Sequence, residues 1–268
     1  MSVADSAQMQ RIALVLEYDG SGFSGWQRQA HAPSVQQALE TAVSRVADHP
    51  VSVVCAGRTD AGVHAAAQVV HFDTSAERPL HAWVLGSNAH LPASVSVLEA
   101  HAVDGTFHAR YSAQQRAYRY IFLSRRARPA LLRNRVAWVH HDLDAERMHD
   151  AAQALVGEHD FSAFRAVACQ ARHPVREVRA IRVHRYGRMV FIDTVANAFL
   201  HHMVRNIAGT LLAVGSGRRG VSWPAELLAA GDRTRSGITA PAAGLYLAHV
   251  AYPPGYGLPA EGRWPFLA

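Results

Sequence analysis

The side chains whose types and spacing could do chemistry lie at residues 58–64, which are Arg-Thr-Asp-Ala-Gly-Val-His. An apolar run at 51–56 precedes them and a second one follows at 66–72, so the sequence predicts a turn between two strands. A carboxylate in such a turn is held on a stiff frame and can still reach a cleft. Arg58 lies two residues from Asp60, so a cation could share a pocket with the acid.

A purely structural interpretation of Asp60 also exists. Gly57 and Gly62 bracket the turn, as expected where the backbone needs unusual dihedral angles or where another segment approaches closely. An aspartate in a turn between strands most often caps neighbouring N–H groups. The three residues Asp-Ala-Gly therefore do not distinguish a turn from a site.

The longer string at residues 57–65, Gly-Arg-Thr-Asp-Ala-Gly-Val-His-Ala, resembles the active-site motif of the tRNA pseudouridine synthases of the TruA family. The resemblance extends from Tyr18 to Pro253 through further motifs, at residues 18–27, 157–164 and 240–245. In that family the aspartate of this motif is catalytic, and the resemblance assigns the role to Asp60. Arg58 becomes a candidate substrate-binding residue.

Residues 20–25, Gly-Ser-Gly-Phe-Ser-Gly, formally match a dinucleotide-binding fingerprint. That fingerprint works only where its last glycine opens a helix whose N-terminus meets a pyrophosphate. Here Trp26 follows, and Pro33 precedes the next predicted helix. The context argues against a nicotinamide cofactor, and the family resemblance likewise implies that no cofactor is needed.

Tyr118 lies on a predicted strand at residues 117–123, where Arg116, Tyr118 and Tyr120 share one face. A cation beside two rings suits a base and its phosphate. Half-buried tyrosines that pair across strands are an equally simple interpretation of the same pattern. The resemblance assigns to Tyr118 the tyrosine that stacks on the target uracil.

Arg205 lies in a predicted helix at residues 199–214, next to the apolar stripe rather than opposite it. A charge in that position must be paired or reach a wet cleft, although an arginine that snorkels to the rim fits as well. The resemblance pairs Arg205 with the catalytic aspartate. It also makes Leu245 an apolar wall of the uracil pocket.

The predicted elements up to residue 103 are a strand at 12–18, a helix at 35–47, strands at 51–56 and 66–72, a helix at 79–88 and a strand at 95–103. Ser34 is a good N-cap for the first helix, whose apolar stripe includes Leu39 and Val43. This order is the split βαβ pattern of ferredoxin-like domains. From Phe107 onward the chain looks like a decorated version of the same order, with a predicted hairpin of strands at 178–184 and 189–196 around Gly187 and an insertion or basic loop at 124–135. We therefore expect an α+β protein with an N-terminal half at 1–106 that carries Asp60 and a C-terminal half at 107–268 that carries Tyr118 and Arg205. The resemblance implies that the mainly antiparallel sheets of the two halves meet in one continuous sheet, with a central cleft.

Composition indicates an anionic partner without identifying it. The 27 basic residues are all arginine and the formal net charge is +6. Arginine matches phosphate geometry and stacks on bases, but a genome of biased composition would explain the arginines equally well. Cys55 and Cys169 form no Cys-x-x-Cys pair, so a disulfide framework or thiolate zinc site is not expected. Residues 1–11 lack the apolar core of a signal peptide and no apolar run could span a membrane, so we expect a cytoplasmic protein.

Neighbouring histidines at 140–141 and 201–202 invite a metal interpretation, but adjacent residues do not face one ligand sphere, so no metal site is expected. The resemblance implies an isomerase that converts uridine to pseudouridine at positions 38, 39 and 40 of the tRNA anticodon stem-loop, with an aspartate nucleophile and a flipped-out base. It also implies a homodimer. A non-catalytic RNA-binding module and a carboxylate-dependent hydrolase remain alternatives from the residues alone.

Overall fold

The computed structural model describes residues 9–167 and 169–266. The predicted absence of a signal peptide therefore rests mostly on residues outside the described part. Two compact units are present: Met1–Gln114 with Val250–Arg263, and Gln115–His249 with Trp264–Ala268. Across the described residues, no helix is long and apolar enough to cross a membrane.

The first unit contains four strands and two helices among its described residues. The strands are β1 Gln10–Tyr18, β2 Val54–Cys55, β3 His64–Thr74 and β4 Val95–Val103, and the helices are α1 Val35–Ala47 and α2 Leu80–His90. In the sheet β4 lies next to β1, β1 next to β3, and β3 next to β2, and each pair is antiparallel. The predicted strands at 12–18, 66–72 and 95–103 and both predicted helices are confirmed.

Helix α1 begins where its sequence predicts, because the Ser34 hydroxyl accepts a hydrogen bond from the Gln37 amide at 3.3 Å. It ends at Asp48, which adopts a left-handed conformation with φ 58°. Leu39 and Val43 on its predicted apolar stripe are fully buried. Burial of this stripe, rather than helix propensity, supplies most of the driving force for a helix of this length.

The strand predicted over residues 51–56 is largely wrong, since only Val54–Cys55 pair with β3. The reason lies in α1. The amide of Val53 donates to Glu40 Oε1 at 3.2 Å, and the amide of Val51 donates to Ser44 Oγ at 2.9 Å. Side chains of the helix thus satisfy donors that a strand partner would otherwise take.

The second unit contains six strands and three helices among its described residues. The strands are β5 Gln115–Ser124, β6 Ala137–Val139, β7 Gly157–Asp160, β8 Val175–Tyr186, β9 Met189–Ala196 and β10 Leu245–Ala251. The helices are α3 Ala145–Ala152, α4 Met203–Gly215 and α5 Trp223–Ala230. The sheet runs β10-β5-β9-β8-β7, and β6 adds to β5 in parallel.

The predicted hairpin of β8 and β9 is confirmed, with Tyr186 opposite Met189 and Gly187 at φ 56° in the turn. The stretch predicted as an insertion or basic loop at 124–135 has no helix or strand from residue 125 to 135, while Ser124 is the last residue of β5. Strands β6 and β7 were not predicted. Helix α4 starts four residues later than predicted, because His202 adopts φ 62° and the helix can begin only after it.

The buried carboxylate of Glu40 is expected to stabilise the fold. Its side chain is almost fully buried and its carboxylate accepts from the Val53 amide, the Gln36 side chain and Arg28 Nη1. Glu40→Ala leaves the Val53 amide unpaired and should lower the free energy of unfolding by about 2 kcal/mol or more. Urea denaturation at pH 7 measures this loss.

Two variants control for that result. Glu40→Gln keeps the Oε1 acceptor and should cost less than Glu40→Ala. Thr41→Ala, on the exposed side of the same helix turn, should stay within about 0.5 kcal/mol of the wild type. Equal losses for Glu40→Ala and Thr41→Ala would show that the contact to residues 51–53 does not stabilise the fold.

Candidate active site

The loop that carries Asp60 is held by backbone hydrogen bonds to residues 23–26. The amide of Trp26 donates to the Thr59 carbonyl at 3.0 Å, and the amide of Gly62 donates to the Phe23 carbonyl at 3.3 Å. The loop closes on itself through a bond of 3.1 Å from the Val63 amide to the Asp60 carbonyl. Asp60 is thus fixed by backbone groups on both sides of it.

Two glycines permit this close approach. Gly25 has φ 102°, and a Cβ there would lie 2.8 Å from the Thr59 carbonyl oxygen and 3.2 Å from the Ala61 amide nitrogen. A Cβ at Gly20 would collide with the Val63 carbonyl. Two of the three glycines that formally match a dinucleotide fingerprint, Gly20 and Gly25, therefore lie against another loop of the protein rather than a pyrophosphate.

Side chains of β1 and β3 complete the frame. The Tyr18 hydroxyl is 2.8 Å from Thr59 Oγ1, and Gln68 Nε2 donates to the Gly57 carbonyl at 2.6 Å. The Gly20 amide donates to His64 Nδ1 at 3.1 Å. Gln68 and Thr59 were not predicted to have a role, since a long-range bond to a backbone carbonyl leaves no pattern in the sequence.

Asp60 is half-buried and Arg58 is exposed, while Thr59 between them is buried. Burial raises the pKa of the Cys55 thiol to about 11, and the positive charges of Arg58 and Arg110 act in the opposite direction. Cys55 therefore stays protonated at neutral pH and is a poor nucleophile. The carboxylate of Asp60 is the better candidate for nucleophilic chemistry in this loop.

Tyr118 lies on β5 in the second unit, opposite Thr194 of β9, and is 8% exposed. Its ring meets that of Phe199 edge to face, with centroids 5.0 Å apart and planes at 84°. Arg116, on the same face of the strand, donates to the Asn197 carbonyl at 3.1 Å. The phenol ring of Tyr118 is thus fixed in orientation from one side.

Tyr120 shares this strand face but cannot serve as a stacking platform, which corrects the idea of two usable rings. It is fully buried, and its hydroxyl donates to the Pro241 carbonyl at 2.7 Å. Burial raises the pKa of Tyr120 well above its usual value. A Cβ at Gly244 would lie 2.8 Å from the Tyr120 ring, so the segment before β10 packs directly on it.

Arg205 lies in the first turn of α4, and its Nε donates to the Ala240 carbonyl at 2.9 Å. The Ala240 amide in turn donates to the Arg205 carbonyl at 3.1 Å. These two reciprocal bonds fix both the backbone and the guanidinium of Arg205. They also anchor residues 240–244, which lead into Leu245 at the start of β10, where that side chain is 6% exposed.

Asn206, the residue after Arg205, holds three further segments and was not predicted from the sequence. It is fully buried and donates to the Phe164 carbonyl at 2.6 Å. Its oxygen accepts from Thr239 Oγ1 at 2.7 Å and from Arg233 Nη2 at 3.1 Å. A buried amide that donates to one segment and accepts from two others favours one arrangement of its neighbours, so Asn206 fixes the helix turn that carries Arg205.

The predicted site residues are thus divided between the units. Asp60 and Arg58 belong to the first unit, whereas Tyr118, Arg205 and Leu245 belong to the second. Within the second unit, residues 240–244 connect Arg205 with Leu245 and pack on Tyr120. The first unit holds a half-buried carboxylate in a locally rigid loop. The second unit holds a tyrosine ring and a guanidinium, each fixed by its neighbours.

Comparison with known proteins gives consistent matches. Residues 14–112 and 151–253 match the family described as tRNA pseudouridine synthase. A tRNA pseudouridine synthase A of Photorhabdus laumondii is 55% identical over 259 residues, which cover 96% of this chain and 98% of that protein. The protein of the same name from Pseudomonas aeruginosa is 55% identical over 95% of this chain and 90% of its own length, and one from Coxiella burnetii is 54% identical over 97% and 99%.

The close approach at Gly25 generates a prediction about the loop. Gly25→Ala places a side chain at a positive φ and against the Thr59 carbonyl, which should cost about 1–3 kcal/mol of local stability. Amide hydrogen exchange at Trp26 should then accelerate at least about fivefold.

Gly22→Ala is the matched control, because a Cβ at Gly22 meets nothing within 4 Å. Its exchange at Trp26 should match that of the wild type. If Gly25→Ala left the exchange of Trp26 unchanged as well, the bond from Trp26 to Thr59 would not depend on the glycine.

Proposed function

Because this chain belongs to the tRNA pseudouridine synthase family, we propose that Asp60 is the catalytic nucleophile with which it isomerises uridine in tRNA. Family membership makes the protein an isomerase that acts on tRNA. The observation that carries the proposal is the Asp60 loop: a half-buried carboxylate on a backbone bonded to residues 23–26 on both sides. Such pre-positioning is what a nucleophile needs, since orientation removes much of the entropic barrier.

The isomerisation moves no electrons or groups between molecules. The bond from ribose C1′ to uracil N1 breaks, and a bond from C1′ to C5 forms. The hydrogen of C5 leaves as a proton, and N1 gains one. An ionised Asp60 attacks the sugar or the base, or removes a proton in an elimination, and all three routes need the same placement of the carboxylate.

Arg205 is proposed to pair with Asp60 and keep it ionised. A base in the pocket excludes water, and burial alone can raise the pKa of a carboxyl by up to about 3–5 units, whereas an adjacent arginine lowers it by about 1–3 units. The reciprocal bonds between Arg205 and Ala240 support this role, because they fix the direction of the guanidinium.

Tyr118, Leu245 and Arg58 are proposed to bind the target nucleotide. A base must leave its stack before it can react, which costs a few kcal/mol. Stacking on Tyr118, worth about 1–3 kcal/mol, offsets that cost. The edge contact with Phe199 supports this role, because a ring held at one edge loses little freedom when a base stacks on its face.

The finer details are proposed from the family resemblance. We propose that the targets are positions 38, 39 and 40 of the anticodon stem-loop, and that the enzyme acts in the cytoplasm as a homodimer without a cofactor. We also propose two ferredoxin-like halves, 1–106 and 107–268, whose sheets join beside a central cleft. The strand order β4-β1-β3-β2 of the first unit supports a split βαβ arrangement there.

Asp60→Asn should abolish catalysis, because an amide cannot act as the nucleophile while its size is unchanged. Tritium release from tRNA that carries 5-tritiated uridine measures the loss of the C5 proton. We expect release at least about a thousandfold slower than in the wild type, with tRNA affinity within about threefold. Substantial release by Asp60→Asn would refute the assignment.

The same substrate separates the isomerase from a strand-cutting hydrolase, because isomerisation leaves chain length and mass unchanged. Mapping pseudouridine in tRNA from cells with and without this gene tests positions 38–40. Loss at other positions with retention at 38–40 would contradict the proposed site of action.

Arg205→Lys should reduce turnover far more than tRNA binding. Lysine retains the charge but cannot donate to the Ala240 carbonyl and Asp60 in a fixed fork. We expect the single-turnover rate at saturating tRNA to fall at least about 30-fold, since the carboxylate of Asp60 loses a partner of fixed geometry. Equal losses in rate and affinity would contradict the proposed pairing of Arg205 with Asp60.

A further inference from the structure

We propose that Tyr111 and Arg110 form a second RNA-contact site on the first unit, in which the Tyr111 ring stacks on an unpaired base of the tRNA and Arg110 binds a neighbouring phosphate. The tRNA substrate follows from family membership. This proposal rests on the proposed function in one respect: if Asp60 is the nucleophile, the second site lies near the reacting nucleotide. We refer to residues 108–112 as the His108 turn.

Tyr111 is unusually exposed for a tyrosine ring, at 74%, and Arg110 beside it is exposed as well. Scattered exposed apolar groups are ordinary, so exposure alone would carry nothing. This ring differs because other side chains organise it. The His108 ring stacks on it with centroids 4.3 Å apart and planes at 29°, and the Arg110 guanidinium lies 5.5 Å from its centroid.

The His108 turn is rigid through its own hydrogen bonds. The Ser112 amide donates to the His108 carbonyl at 2.8 Å, and the His108 amide donates to Ser112 Oγ at 2.9 Å. His108 Nδ1 accepts from the amides of both Arg110 and Tyr111 at 3.2 Å. The imidazole that stacks on Tyr111 therefore also fixes the backbone of Tyr111.

His71 of β3 contacts the His108 turn and holds it in place. Its Nδ1 accepts from the Ala109 amide at 3.1 Å, and its ring centroid is 4.9 Å from that of His108. His71 is buried, and burial, together with the positive charge of Arg11, lowers its pKa to about 4. It is neutral at physiological pH, so this acceptor is present whenever the enzyme works.

The chain that leads to Asp60 passes close to this turn. Val54 of β2 pairs with His71, and Cys55 follows it directly, three residues before Arg58. The charges of Arg58 and Arg110 both act on the Cys55 thiol. Two guanidiniums and an exposed ring thus share one region of the first unit with the Asp60 loop.

This combination fits single-stranded nucleic acid better than a duplex or a protein partner. Every base has a π-face, so a fixed aromatic ring binds unpaired bases with little regard to sequence. A guanidinium within reach of the same ring can neutralise the adjoining phosphate with a planar fork. The ring is flanked by a cation and is not part of a large continuous apolar patch of the kind that marks many protein interaction sites.

Direct measurement of tRNA affinity tests the proposal. With an unmodified tRNA transcript, Tyr111→Ala should raise Kd roughly tenfold, while Tyr111→Phe, which keeps the ring, should stay within about twofold. The single-turnover rate at saturating tRNA should be unchanged in both. Arg110→Gln should weaken binding and reduce the slope of log Kd against log salt by about one.

Tyr186→Ala is the matched control, since this tyrosine is 66% exposed at the turn between β8 and β9. It should leave Kd unchanged. An unchanged Kd for Tyr111→Ala, or an equal rise for Tyr186→Ala, would overturn the proposal. Thermal unfolding of Tyr111→Ala within about 2 °C of the wild type excludes misfolding as the cause.

The test stands apart from the proposed catalytic role of Asp60. Repeating the binding series in an Asp60→Asn background should give the same ratios. If Asp60→Asn retained activity, the assignment of Asp60 as the nucleophile would be refuted. The affinities of the Tyr111 variants would still test whether Tyr111 binds tRNA. The Kd of Tyr111→Ala can also be measured with a single-stranded anticodon loop and with duplex RNA. A rise in Kd relative to the wild type that is seen with the duplex and not with the single-stranded loop would also refute base stacking.

Discussion

The position of the candidate nucleophile depends on the contact between two backbones, residues 20–26 and residues 57–63. Peptide groups bond across this contact, and glycines stand where any side chain would separate the two segments. A carboxylate that must be ionised cannot be placed by burial, because burial favours its neutral form. Backbone hydrogen bonds can fix it while leaving its side chain partly open to solvent.

The second unit uses the same solution for its own charged group. Arg205 is fixed by a pair of bonds to the backbone of Ala240, and Gly209 one turn later lies directly against the Ile238 carbonyl. Asn206 adds a buried amide beside them that donates to Phe164 and accepts from Thr239. In the second unit a helix supplies the frame for a loop without regular structure, whereas in the first unit two such loops are bonded to each other.

This arrangement explains how much could be predicted from the sequence. Regular elements with local signals were predicted well, because the Ser34 cap, the apolar stripe of α1 and the turn at Gly187 act over a few residues. Residues 51–53 were mispredicted because their partners are Glu40 and Ser44, and a β-branched run does not reveal that side chains of a helix will take its donors.

The candidate site residues were predicted by a different route. Asp60, Tyr118, Arg205 and Leu245 came from motif resemblance, and physical pattern alone left Asp60, Tyr118 and Arg205 each with a structural alternative. Tyr120 has a structural role, but not that of a half-buried tyrosine paired across strands, since its ring is fully buried and its hydroxyl bonds to Pro241. Alternation on a strand gives the face of a side chain but not what covers that face, because the covering segment lies more than 100 residues away.

A count of arginines in the sequence likewise does not show which of them are already paired within the fold. Arg11 and Arg119 form bidentate pairs with Asp73 and Asp193, and Arg233 bonds to Asn206 and Thr239. These guanidiniums stabilise the fold and are not available for phosphate. A count of arginines therefore overstates the RNA-binding charge. The residues that can contact RNA are those that remain exposed, such as Arg58 and Arg110. Because counterion release depends on the phosphates actually neutralised, the salt dependence of tRNA binding should follow this exposed subset and not the whole arginine content.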